Sequence, residues 1–278
     1  MDSLDRKNII EANIEVHTKS IDSYADEPHF RPENVARVES VISHLKDITN
    51  GDSLLDIGCG TGFIIDIACK HFKVIRGVDV TPAMLERVET DRPGCDIRVS
   101  AAPAEELPFE ADSFDVCTAH AVLHHLHKLD RVFAEAFRVL RRGGVFYSDL
   151  DPNYYFWETL SSLDKENDLN PIILREIAAV TSNDGEIAEK FGVSLETAQA
   201  AEHLKHIGRG FKEEEVKALL FSTGFSEVEV VYEWFLGEAS VIHNPKTSEH
   251  AATLREHLRS ITPLTRHLFK YISFRAIK

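Results

Sequence analysis

Long apolar runs are missing from this chain, and so is a basic face. No stretch approaches the ~20 consecutive apolar residues that a helix needs to cross a bilayer. Met1-Asp2-Ser3-Leu4-Asp5-Arg6-Lys7 lacks the apolar core of a secretory signal, so a cytosolic protein is expected. Lysine and arginine number 31 against 46 acidic residues, a formal charge of −15. Nucleic-acid binders draw most of their affinity from basic groups on phosphates, so the deficit argues against a polyanionic partner. Cysteine is scarce: Cys59, Cys69, Cys95 and Cys117 lack metal-ligand spacing, which makes reduced thiols and no metal the expectation. An apolar content of 43% over 278 residues is enough for a full core, read most simply as one α/β domain with insertions.

What the chain does have is Leu54-Leu55-Asp56-Ile57-Gly58-Cys59-Gly60-Thr61-Gly62. An apolar run of strand length leads into glycines at alternate positions, and Phe63-Ile64-Ile65-Asp66-Ile67-Ala68 follows with helical spacing. Without a Cβ, Gly58, Gly60 and Gly62 can take positive φ and let a ligand lie against the backbone, and the helix start offers N–H groups to an anion. Lys73 to Asp79 reads as the next strand, ending in a carboxylate about 20 residues beyond the first glycine, where an acid grips a ribose diol. A nucleotide-like ligand is the expected occupant.

The alternating pattern continues, with strands expected at 53–58, 74–79, 96–100, 114–119 and 144–149 and helices near 61–71, 82–90 and 128–141. Ligands in such parallel sheets bind beyond the carboxyl ends of the strands, where the glycine loop, Asp79, Ala104-Glu105 and His120 fall. Residues 1–50 read as a helical cap, 51–151 as the cofactor-binding core and 152–209 as a helical insertion forming an acceptor pocket or lid. Residues 210–278 complete the core, with a second insertion at about 237–268 and strands at 227–235 and 271–277. The run Tyr154-Tyr155-Phe156-Trp157 could line an apolar pocket or pack in the core. Glu186 to Ala200 has the look of a helix-turn-helix, but its second helix carries Glu196 and Glu202 and no arginine, so an αα-hairpin in a lid fits better than DNA binding.

Asp56 to Gly62 and Val78-Asp79-Val80-Thr81-Pro82-Ala83-Met84-Leu85 resemble the first two motifs of the class I S-adenosylmethionine-dependent methyltransferases, in particular small-molecule, ubiquinone/menaquinone methyltransferase-like members. Ala104 to Phe109, Ser113 to Val116, Leu123-His124-His125-Leu126 and Arg138 to Gly144 follow in that family's order, so the likeness covers roughly residues 50 to 151, with a weaker match at 210 to 232. It implies a doubly wound, mostly parallel, seven-stranded Rossmann-like sheet with an antiparallel C-terminal strand pair. It also implies S-adenosylmethionine as cofactor, held by Tyr24, Asp56, Gly58, Cys59, Gly60, Gly62, Asp79, Val80, Met84, Ala104, Glu105 and His120. Pro103 stands where relatives often carry an adenine-binding Asp, which leaves adenine to the backbone of Ala102 to Glu105 or to Glu105 itself. His120 and His124 are candidate catalytic bases for a small apolar or aromatic acceptor, with His17 and His29 as rivals. Neither membrane nor nucleic acid is an expected partner, and a homodimer is left open. Two other readings compete. One is an NAD-dependent oxidoreductase, against which Phe63 stands where the dinucleotide fingerprint wants Gly or Ala. The other is a non-enzymatic interaction module with a degenerate cofactor site.

Overall fold

A computed structural model describes residues 6–26, 30–163 and 169–278. In chain order its strands are β1 (Ser53–Ile57), β2 (Val74–Asp79), β3 (Asp91–Arg92), β4 (Cys95–Ala101), β5 (Phe114–His120), β6 (Leu140–Pro152), β7 (Glu227–Phe235) and β8 (Phe269–Ile277). They form one sheet in the order β3-β4-β2-β1-β5-β6-β8-β7. The five strands from β4 to β6 run parallel, and β8 lies antiparallel between β6 and β7. The sheet therefore has eight strands where seven were expected. The addition is β3, which a two-residue turn at Pro93-Gly94 folds back onto β4, with Gly94 at φ 84°.

The helices before the insertion are α1 (Arg6–Ser20), α2 (Pro32–Thr49), α3 (Phe63–Ala68), α4 (Pro82–Leu85) and α5 (Leu129–Val139). Helix α3 is much shorter than the 61–71 span expected, because Lys70 and His71 bond three residues back and tighten the chain into a turn. Helix α4 likewise stops well short of residue 90. Apolar side chains alternate to both faces of the sheet, and both faces are covered. Leu55, Phe133, Phe146 and Phe274 pack on one side, while Leu54, Ile42, Ile65 and Val116 pack on the other. Cover on both faces explains why β1 is buried throughout, its polar Ser53 and Asp56 included.

The insertion holds α6 (Tyr154–Ser162), α7 (Pro171–Phe191), α8 (Leu195–Ala201) and α9 (His203–Gly208), and α10 (Glu213–Thr223) returns to the sheet. Helices α11 (Glu238–Ile242) and α12 (Ala251–Ser260) make up the second insertion. The αα-hairpin expected at 186–202 is present. Gly192 ends α7 in the left-handed region at φ 61°, and the Ser194 hydroxyl caps α8 by accepting from the Thr197 amide. Helix α8 is no recognition helix, since Ala200 and Ala201 pack in one cluster with Ala12 and Val16 of α1.

Candidate cofactor and acceptor site

Two adjoining cavities open at the carboxyl ends of the parallel strands. The larger, about 750 Å³ including space open to solvent, is lined among others by Tyr24, Gly58, Gly60, Asp79, Val80, Met84, Ala104, Glu105 and His120. The smaller shares Tyr24, Gly58 and His120 with it and adds Asp56, Cys59 and Phe63. The structure thus brings together nearly all the residues expected at the cofactor. Gly62 is outside both cavities and serves as the N-cap of α3 at φ 95°.

The glycine turn and Asp79 hold each other. The amides of Gly58 and Cys59 donate to the Val78 carbonyl, and Asp79 accepts from the amides of Gly60 (3.0 Å) and Thr81 (2.8 Å). A carboxylate has about four lone-pair positions, so two such bonds fix its orientation and leave capacity for a ligand's hydroxyls. Asp56 is buried; one of its oxygens accepts from the Thr118 hydroxyl at 2.8 Å, and Oδ2 has no partner among the described residues. Burial, with Asp79 adding to it, pushes this carboxyl up to about 7. His120 lies against the Phe63 ring at a centroid distance of 4.9 Å, and its Nδ1 is 3.6 Å from Asp149. Behind it, Arg37 Nη2 donates to Asp149 at 2.6 Å. Burial alone would raise Asp149, but this guanidinium leads the groups that bring it down to about 2.

The other end of the large cavity is built from α1 and from the turn after β5. Ile9, Ile10, Asn13 and His17 come from α1; Val122, His125, Leu126 and His127 come from the turn. Asn13 ties the two together, its Nδ2 donating to the carbonyls of Ile9 (2.9 Å) and His125 (3.2 Å). His125 Nδ1 is 2.8 Å from the Ala201 carbonyl. That bond requires Nδ1 to carry the proton and leaves Nε2 with its lone pair. Burial, helped by His124, pushes His125 down to about 3.

Two expectations need correction. His124, a candidate base, does not line either cavity. Its Nδ1 sits 2.9 Å from Asp151 and its Nε2 4.0 Å from Glu202, so both nitrogens face carboxylates. The aromatic run of α6 does not line the cleft either: Phe156 packs with Leu160 and Ile177, Tyr155 donates to Glu214, and Lys212 lies over Tyr154. His29 falls outside the described residues. His124, His125 and Glu202 come close enough together to suggest a metal site, but Lys205 Nζ already lies 2.6 Å from Glu202 and Ala201 takes His125 Nδ1. Sequence reasoning missed Asp151, Glu202 and, of the α1 residues at the cleft, Ile9, Ile10 and Asn13; His17 was named in advance, as a rival base.

A doubly wound sheet with a glycine turn and an acid at the end of the next strand defines a nucleotide-binding α/β protein. Residues 55–148 match a family model described as a methyltransferase domain. A probable S-adenosylmethionine-dependent methyltransferase of Mycolicibacterium smegmatis is 29% identical over 205 residues, covering 74% of this chain and 69% of that one. The 27-O-demethylrifamycin SV methyltransferase of Amycolatopsis mediterranei is 35% identical over 124 residues, so the chain spans 46% of that enzyme's length and the match covers 43% of this chain. Among solved structures, the YcgJ protein of Bacillus subtilis shares the fold, with a TM-score of 0.54 at 18% identity, over 87% of this chain and 98% of that one. The chain is an S-adenosylmethionine-dependent methyltransferase, similar to the class I members, and its cofactor is S-adenosylmethionine. The nicotinamide and non-enzymatic readings fall with that assignment. The residues present fit the cofactor. An unpartnered carboxylate oxygen at Asp56 suits an ammonium, and Gly60 leaves open space that a Cβ would narrow to 3.4 Å from the Tyr24 hydroxyl. Among the described residues no helix is long and apolar enough to cross a membrane.

Proposed function

We propose that the chain transfers a methyl group from S-adenosylmethionine to a hydroxyl of a small apolar or aromatic metabolite, with His125 as the base. The observation that carries this reading is a neutral imidazole on the cleft wall whose Nδ1 is bound by the Ala201 carbonyl, so that Nε2 keeps its lone pair. S-adenosylmethionine supplies a methyl carbon made electrophilic by its sulfonium. Asp79 would hold the ribose hydroxyls, Asp56 would lie by the ammonium, and the backbone from Gly58 to Gly60 would approach the methionine portion. Met84, Val80, Ala104 and Glu105 would enclose the adenine, with His120 and Tyr24 closing the donor end beside Cys59.

Ile9, Ile10, Val122 and Leu126 would orient the acceptor and exclude water, and His125 Nε2 would accept the proton as its hydroxyl reacts. The cleft is lined by Asp79 and Glu105 and, among the described residues, by no lysine or arginine, which disfavours an anionic acceptor. A relative named for an O-methylation of a small molecule supports the same class. The reading includes a cytosolic protein, as monomer or homodimer.

The test is calorimetric titration with S-adenosylhomocysteine, with NADH as control. The parent should bind the first and not the second, and Asp79→Ala should weaken binding at least tenfold. In an acceptor screen, His125→Asn should lower turnover about a hundredfold, within the range general bases contribute, at unchanged S-adenosylhomocysteine affinity. An Asp79→Ala protein that binds like the parent would remove the cofactor assignment; undiminished turnover in His125→Asn would remove the base.

A further inference from the structure

We propose that Glu202, contributed by the helical insertion, is a positioning residue for this reaction: its carboxylate is the buried counter-charge that allows His125 to take up a proton. The inference rests on the reading of His125 given above. Glu202 stands at the junction where α8 ends and α9 begins, and the break in helical geometry there (φ −99°, ψ 34°) turns it toward the site. One carboxylate oxygen is 3.9 Å from His125 Nδ1, and the other is 4.0 Å from His124 Nε2. The preceding residue, Ala201, supplies the carbonyl that accepts from His125 Nδ1 at 2.8 Å. A single turn of chain therefore gives the imidazole both its hydrogen-bond acceptor and a charge.

The need for that charge follows from burial. An imidazole enclosed in this way resists protonation, and an imidazolium left there uncompensated would be costly. The groups that face His125 are His17 of α1, edge-on at 5.1 Å between centroids, His124 beside it at 4.1 Å, and Glu202. Lys205 lies behind Glu202 at 2.6 Å, and Asp151 lies behind His124 at 2.9 Å. Among the described residues Glu202 is the one carboxylate within 4 Å of the His125 ring nitrogens. The arrangement shares one feature with hydrolase triads, an ionised carboxylate that stabilises the imidazolium as it forms; here the tautomer is held by the Ala201 carbonyl instead. Lys205 tempers the field by occupying one oxygen and leaves the other directed at His125.

The test reads the histidine directly and needs no acceptor. Long-range proton–nitrogen correlation spectra of ¹⁵N-histidine-labelled full-length protein are followed from pH 8 down to the acid transition in the parent, Glu202→Gln and Lys205→Met, with Lys205→Gln as a substitute should the methionine variant fail to fold. All three should show His125 protonated on Nδ1 at neutral pH. Lys205→Met should take up its second proton at a pH at least one unit above the parent, a tenfold gain in proton affinity, while Glu202→Gln stays neutral throughout. Equal proton affinity in Lys205→Met and the parent, or uptake by Glu202 in place of His125, would overturn the proposal. S-adenosylhomocysteine titration of each variant shows that the fold is intact. A parent that fails to bind it would count against the cofactor assignment and leave the Glu202 result to stand or fall on its own.

Discussion

A methyl group added at Gly58 would land 2.3 Å from Cγ2 of Val122, while one at Gly60 would come no closer than 3.4 Å to any atom, the Tyr24 hydroxyl. Both glycines have positive φ, 70° and 51°. The two positions should therefore fail differently. Gly58→Ala should cost roughly 2–3 kcal/mol through overpacking and backbone strain. Gly60→Ala should cost about 1 kcal/mol of stability but at least tenfold in S-adenosylhomocysteine affinity, because its new methyl occupies the cleft. Urea unfolding and ligand titration on both variants check this; a Gly60→Ala protein of parental affinity would place the ligand elsewhere. These glycines and Asp79 were legible in the sequence because a tight turn and a strand-end carboxylate are local demands. Asp151 and Glu202 were not, because nothing local says which of many acids will meet an imidazole from a distant segment.

At the scale of elements, the core strands came close to their expected spans because each is an apolar run bounded by turn residues. Strand β3 was missed: two residues carry no periodic signal, and only the Pro93-Gly94 turn hints at it. Helices α3 and α4 were overestimated because apolar spacing continues past the point where hydrogen bonding stops. The aromatic residues of α6 show the limit of composition as a guide. Tyr, Phe and Trp suit a ligand pocket or a packed surface equally well, and here salt-bridging neighbours such as Glu214 and Arg266 decide, with Arg266 stacked 3.4 Å over Tyr155. The small size of Ala200 and Ala201 allows α8 to lie close beside α1.

Over the whole molecule, buried His124 and partly buried His125 link folding to pH. His125 is held neutral at about 3 when folded and His124 at about 4, against 6.5 for an ordinary histidine. As pH falls below 6.5 the unfolded chain binds protons that the folded chain refuses, so their share of stability is present above 6.5 and is lost on acidification toward 4. The buried acids Asp56 and Asp151, both raised, act in the opposite sense. The informative quantity is thus a difference: His125→Asn should lose less stability than the parent between pH 6.5 and 4, measured by urea unfolding at each pH. Parallel curves for the two proteins would show that His125 is not buried as described.

On the proposed reading, the acceptor end of the cleft is assembled from α1, from one turn after β5 and, through Glu202, from the insertion, while the donor end belongs to the central sheet. Helix α1 and the α8–α9 junction, far apart in the chain, pack on each other and on the same histidine turn. On that reading the two segments form one unit: a change of acceptor would involve both, whereas the sheet and its glycine turn would stay as they are.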